Sequence, residues 1–114
     1  MSKRIFVVYG HHNVKKSFNA SIRDTFMDEA KKNGHEVDLI NLHEEKPLNF
    51  FDGSPPNEQV LNYRTRLEKC DIMFMISPCY NLRASAILEN WIDLVLAPKW
   101  FFAFKRVMGN WGYP

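Results

Sequence analysis

Ile5-Phe6-Val7-Val8-Tyr9 is a short unbroken apolar run of β-branched and aromatic residues. Such a run predicts a strand buried on both faces of a parallel sheet. A polar loop follows from Gly10 to Lys16. Phe18, Ile22, Phe26 and Ala30 then recur at every fourth position and predict a helix with these residues inside. Ser17 or Asn19 is suited to cap its start, Lys31 and Lys32 fall in its last turn, and Gly34 is placed to end it. Val37, Leu39, Ile40 and Leu42 predict a second strand, more polar and nearer an edge.

The stretch from His43 to Asn57 holds Pro47, Gly53, Pro55 and Pro56 and predicts a long surface loop. A helix from about Asn57 to Lys69 follows, with Val60, Leu61, Tyr63 and Leu67 as inner positions and Pro56 near its first turn. Ile72-Met73-Phe74-Met75-Ile76 predicts a third buried strand, and Ser77 to Ser85 a loop. Ile87, Leu88, Trp91, Ile92, Val95 and Leu96 form the cleanest helical stripe of the chain, stopped before Pro98. The order is β-α-β-α-β-α, without internal repeat or low-complexity segment. Alternation of this kind implies right-handed crossovers and a parallel sheet with helices on both faces.

Composition narrows the class. A chain of 114 residues with 46% hydrophobic and 25% charged residues matches a single folded domain, residues 1–114, rather than a disordered or fibrous chain. No apolar run reaches the roughly 18 residues that span a bilayer, and the five apolar residues after Arg4 are too few for a signal-peptide core. Two cysteines build no disulfide framework, so a reducing cytoplasm is the expected setting. A net charge of +2 gives no reason to expect nucleic acid. Six of the 16 aromatic residues (Trp100, Phe101, Phe102, Phe104, Trp111 and Tyr113) fall near the end, a load that predicts cover from other parts of a fold or from a partner.

Ligands of open parallel α/β sheets bind beyond the carboxyl ends of the strands, where the strand order reverses. Two loops of this sequence belong there, Gly10 to Asn19 and Pro78 to Ser85. The first ends at a helix N-terminus, where free N–H groups and the helix dipole favour phosphate. Ser17 and Asn19 add hydroxyl and amide groups, and His11 a ring nitrogen. Neither a Walker-type G-x-x-x-x-G-K-[ST] nor a G-x-G-x-x-G is present. On spacing alone, Ser17 serves equally well as a plain helix cap. In the second loop, Tyr80 and Leu82 are suited to press on a flat ring, or simply to pack on the protein.

These residues carry a resemblance. Ile5 to Tyr9 with Gly10-His11, then Ser17-Phe18-Asn19-Ala20, is similar to the opening of the flavodoxin-like NAD(P)H:quinone oxidoreductases. That family includes DT-diaphorase, the modulator-of-drug-activity-B proteins and the ancillary subunits of bacterial potassium-efflux systems. Cys70-Asp71-Ile72 into Pro78, then Ala86 to Val95, resembles a second block of the family, as do Ala97-Pro98 with Phe102-Ala103-Phe104, and residues 109–114.

The resemblance implies a three-layer α/β fold with a parallel sheet in strand order 2-1-3. The fourth and fifth strands of the family lie beyond the point where this chain ends. It implies that His11, Ser17, Phe18 and Asn19 hold the phosphate of FAD or FMN, and that Pro78, Cys79, Tyr80, Asn81 and Leu82 support the flavin ring. It implies hydride transfer from NAD(P)H to the flavin and two-electron reduction of a quinone-like acceptor. The missing strand would leave the third strand as an open edge, so a homodimer or another chain is expected to cover it. A non-catalytic binding or regulatory subunit, or a shortened copy with little flavin binding, is the alternative. Asn81-Leu82, Arg83, Ser85 and Glu89-Asn90 depart from the family's aromatic pair, small residue, proline and Lys-Gly.

Other features have ordinary explanations. His11, His12, His35 and His43 lack metal-ligand spacing, so no metal is expected. Cys79 fits a plain small residue of the loop, and Trp91 a core position.

Overall fold

The computed structural model describes residues 2–97 and 100–101. The terminal aromatics from Phe102 to Tyr113, and Pro98 and 109–114 of the resemblance, lie outside the described residues. Strand β1 (Arg4–Tyr9) is followed by helix α1 (Phe18–Lys32), strand β2 (Glu36–Asn41), a 3-10 turn (Leu42–Glu44), helix α2 (Glu58–Glu68), strand β3 (Ile72–Ile76) and helix α3 (Ala86–Val95). The sheet is parallel, in the order β2-β1-β3. Ile5 aligns with Val37 on one side and Ile72 on the other.

The central strand explains the layers. Successive side chains of a strand point to opposite faces. Phe6 and Val8 pack with Val60, Tyr63, Leu88, Trp91 and Val95 of α2 and α3. Ile5, Val7 and Tyr9 pack with Ala20 and Ala30 of α1 and with Ile76. Ile5 to Tyr9 are all buried, as the unbroken apolar run predicts.

Local signals fix the helix ends. Ser17 Oγ accepts the Ala20 N–H, and Asn57 Oδ1 accepts the Val60 N–H, each capping a helix start. Asn33 closes α1, and Gly34 turns the chain at φ +82. Pro56 precedes α2, and Arg64 donates to the carbonyls of Leu94 and Val95 at the end of α3.

Three expectations are corrected. First, β3 is a half-open edge strand, not a buried one: Ile72 is 46% and Met75 40% exposed, and only Ile76 is buried. An apolar run records what a strand needs around it, while exposure depends on neighbours, and no strand among the described residues flanks its outer side. Second, the predicted stripe of α1 holds only in its second half, where Phe26 packs on the core and Ala30 is buried. Phe18 and Ile22 are exposed, and Ala20, Arg23 and Ala30 face inward. A buried arginine reads as polar, although its guanidinium lies over the Tyr9 ring at 4.5 Å. Third, Leu61 is exposed, because α2 turns Val60 and Tyr63 to the core instead.

Candidate functional site

The loops after β1 and β3 meet at the carboxyl end of the sheet, on either side of Gly10. The Gly10 N–H donates to the Ile76 carbonyl at 2.8 Å. The Ser85 hydroxyl, buried at the start of α3, donates to the Gly10 carbonyl at 2.6 Å. A Cβ on Gly10 would lie 2.9 Å from Ser85 Oγ and 3.1 Å from Leu88 Cβ, so the close approach needs glycine. Ser77 Oγ accepts the Ser85 N–H at 2.8 Å and closes the second loop on itself. Ser85, a departure from the family's proline, is therefore the residue that ties one loop to the other. Its hydroxyl is turned to the Gly10 carbonyl, and it makes no side-chain cap on α3.

The first loop is held by its own side chains. Asn13 Oδ1 accepts the N–H groups of Lys15 and Lys16 at 3.2 and 2.9 Å. His11 Nδ1 accepts the Asn13 N–H at 2.9 Å, so the neutral ring carries its proton on Nε2. Tyr9 Oη lies 2.8 Å from the Asn13 carbonyl and 2.8 Å from Ser17 Oγ. The rings of His11 and His12 stack with centroids 4.3 Å apart. Partial burial first, then the charges of His12 and His11, push the His43 imidazole below its ordinary pKa. Three histidines thus gather at this end of the sheet, together with the exposed Lys15 and Lys16.

At the mouth of α1, two backbone donors remain. The Ala20 and Ser21 N–H groups go to Ser17, while those of Phe18 and Asn19 have no partner among the described residues. Free N–H groups at a helix start form an anion-binding surface. Ser17, Phe18 and Asn19 thus share the helix start, with His11 linked to it through Asn13 and Tyr9, although the Phe18 side chain itself is 80% exposed.

The second loop carries an unusual turn. Tyr80 and Arg83 exchange backbone hydrogen bonds at 2.9 and 3.1 Å. Between them, Asn81 and Leu82 adopt φ values of +52 and +62. This is the geometry of a tight turn that favours glycine, and an L side chain there costs about 1–2 kcal/mol. Leu82 is 97% exposed, so packing does not offset that cost. The Asn81 and Leu82 N–H groups are unpartnered among the described residues. Cys79 and Tyr80 are also exposed, and Pro78 is half-buried.

Sequence reasoning missed Tyr9, Arg23 and Asn41. Arg23 Nη1 donates to Asn41 Oδ1 at 2.9 Å, beside the Tyr9 ring. The signal was a tyrosine closing an otherwise apolar strand, since a buried phenol needs a partner for its hydroxyl. Among the described residues no group of three or more His, Cys, Asp or Glu side chains is arranged to hold a metal ion, and no helix is long and apolar enough to cross a membrane.

Comparison with known proteins agrees with this architecture. The chain is 25% identical over 119 residues to the mouse ribosyldihydronicotinamide dehydrogenase [quinone], covering 82% of this chain and 51% of that protein. It is 28% identical over 108 residues to an FMN-dependent NADH:quinone oxidoreductase of Clostridium perfringens, covering 83% and 54%. Among solved structures, a putative quinone reductase from Klebsiella pneumoniae superposes with a TM-score of 0.80 at 20% identity, covering 96% of this chain and 52% of that one. The NAD(P)H:quinone oxidoreductase of Methanothermobacter marburgensis gives 0.75 at 22% identity, with coverage of 90% and 56%. The chain thus spans about half the length of the relatives it matches. A family profile described as the flavodoxin-like fold matches residues 3–112, and the chain belongs to that family.

Proposed function

We propose that this chain is a flavin-dependent NAD(P)H:quinone-type oxidoreductase. One observation carries the reading. Two loops, tied together through Gly10, each present a pair of unpartnered N–H groups at the carboxyl end of the sheet. The pair at Phe18 and Asn19, with His11 Nε2–H, suits a phosphate; the pair at Asn81 and Leu82 suits the polar edge of a flat heterocycle. This donor set fits FMN or FAD. A bound flavin supplies hydride acceptance from a nicotinamide and electron delivery to a quinone.

The protein's part is placement. His11, Phe18 and Asn19 hold the phosphate end, with Lys15 and Lys16 adding positive potential. Pro78, Cys79 and Tyr80 line the approach to the turn, and Asn81 and Leu82 orient the ring from one side. Tyr80 and Leu82 offer exposed apolar surface to exclude water from the reacting edge. A second chain along the open edge of β3, where Ile72 and Met75 are exposed, belongs to the same proposal.

Asn81 at the turn favours a second reading, a flavodoxin-like binding or regulatory subunit without catalysis, because an amide offers less stacking surface than an aromatic ring. The two separate in one assay. Titration with FMN or FAD is expected to quench flavin fluorescence saturably, and NADH or NADPH to be consumed with a naphthoquinone above the blank. Binding without turnover supports the subunit. No binding of either flavin overturns the oxidoreductase.

A further inference from the structure

We propose that Tyr9 is the positioning residue of the phosphate loop, and that Ser17 serves that loop as a structural post rather than as a donor to the ligand. The inference rests on the flavin reading, since it concerns which groups meet the phosphate.

Counting hydrogens carries it. Tyr9 Oη has two neighbours, the Asn13 carbonyl and Ser17 Oγ, each at 2.8 Å. A carbonyl only accepts, so satisfying all three groups sends the tyrosine hydrogen to Asn13. Ser17 then donates its single hydrogen to Tyr9 Oη, while its oxygen accepts the Ala20 N–H at 3.0 Å. The Ser17 hydroxyl is thereby committed on both sides to the protein. Asn13 Oδ1 and His11 Nδ1 are likewise occupied by loop N–H groups. With Ser17 committed, the phosphate is left to the Phe18 and Asn19 N–H groups and His11 Nε2–H, beside the side-chain amide of Asn19 and the ammonium groups of Lys15 and Lys16.

Tyr9 is suited to this task because it does not move with the loop. It ends the central strand, fully buried, with the Arg23 guanidinium over its ring at 4.5 Å. Arg23 is nearly buried itself and is anchored to Asn41 Oδ1 and Asp24 Oδ1, each at 2.9 Å. A rigid post from the sheet thus reaches the loop at two points, one at Asn13 and one at the helix cap. Holding a loop in its binding geometry lowers the ordering cost of binding.

The test uses the full chain with FMN as probe. Tyr9→Phe removes only the hydroxyl and is expected to weaken FMN about tenfold. Ser17→Ala is expected to do the same, the double variant to be no weaker than either, and Ser17→Thr to restore binding. Exchange of the Ala20 amide with solvent is expected to speed up in Tyr9→Phe, with or without FMN. An unchanged FMN affinity in Tyr9→Phe alongside a weakened Ser17→Ala makes Ser17 a direct donor and overturns the proposal; additive losses do the same. If the wild-type chain takes no FMN, the flavin reading fails, and unchanged Ala20 exchange in Tyr9→Phe then overturns the positioning claim separately. Should Tyr9→Phe not fold, Arg23→Gln loosens the same ring from outside. It is expected to speed Ala20 exchange and weaken FMN about threefold, and no change in either overturns the proposal.

Discussion

The two faces of the sheet are finished to different degrees. On the α2–α3 face, Trp91 is fully buried, stacks beside Phe6 with ring centroids 6.1 Å apart, and meets Tyr63 edge-on at 6.1 Å. Two helices and part of the following loop close over that cluster. On the other face α1 stands alone. Phe26 and Phe74 pair with centroids 4.2 Å apart, but Phe18, Ile22 and Ile72 face outward, while Met75, in register with Val8, is exposed at the β3 edge of the α2–α3 face. The difference teaches where stability and where binding capacity reside. The closed face holds the domain together, while the open face and β3 edge keep apolar surface for something else.

The largest test of this contrast is Trp91→Ala, which is expected to lose about 3–5 kcal/mol in denaturant unfolding. Trp91→Phe is expected to lose much less than the alanine variant. The indole Nε1 is buried without an acceptor among the described residues, so replacing it also removes an unsatisfied donor. A loss of under 1 kcal/mol for Trp91→Ala would break the claim that this face is the stabilising one.

Gly10→Ala comes next. The new methyl meets Ser85 Oγ at 2.9 Å and Leu88 Cβ at 3.1 Å. Ser85 cannot yield without losing its hydrogen bond to the Gly10 carbonyl, and Leu88 belongs to the closed core. Overpacking of this kind is expected to cost about 1–3 kcal/mol, measured as a lowered midpoint of denaturation. Adding Ser85→Gly opens the space and is expected to recover part of it.

The closed face also carries a pH signature. Burial, reinforced by the neighbouring Glu45, raises the Tyr63 phenol to about 12. The unfolded chain releases this proton near its ordinary value of about 10. Stability that is complete below that value is therefore lost as pH rises through the window from 10 to 12. Tyr63→Phe is expected to flatten this part of the curve relative to wild type; parallel curves would show that Tyr63 titrates as an exposed phenol.

How legible all this was in the sequence follows the same contrast. The elements and their order came through, because apolar periodicity, Ser17, Gly34 and Pro56 act locally. Trp91 and its stripe came through because a closed face leaves the fullest periodic record. The start of the α1 stripe and β3 misled, since Phe18, Ile22, Ile72 and Met75 carry an apolar pattern that no neighbour among the described residues covers. The candidate loops were legible from topology, with their positions fixed by strand ends. The Tyr9–Ser17–Asn13 bonds and the Ser85–Gly10 tie were not, because each joins residues by the direction of a hydroxyl, which spacing does not record.

The smallest expected effect is also the sharpest probe of the open face. Phe18→Ser removes a ring that is 80% exposed. With so little burial lost, unfolding free energy is expected to change by no more than about 0.5 kcal/mol at low protein concentration. If another chain covers α1 and the β3 edge, the same substitution will cost more as concentration rises, because association stabilises only the covered state. Unfolding of wild type and variant across a concentration series therefore separates the two situations. Parallel curves at every concentration leave Phe18 in solvent. Curves that diverge as the chain is concentrated place Phe18 in a contact between chains, and the open face is then a binding surface in its own right.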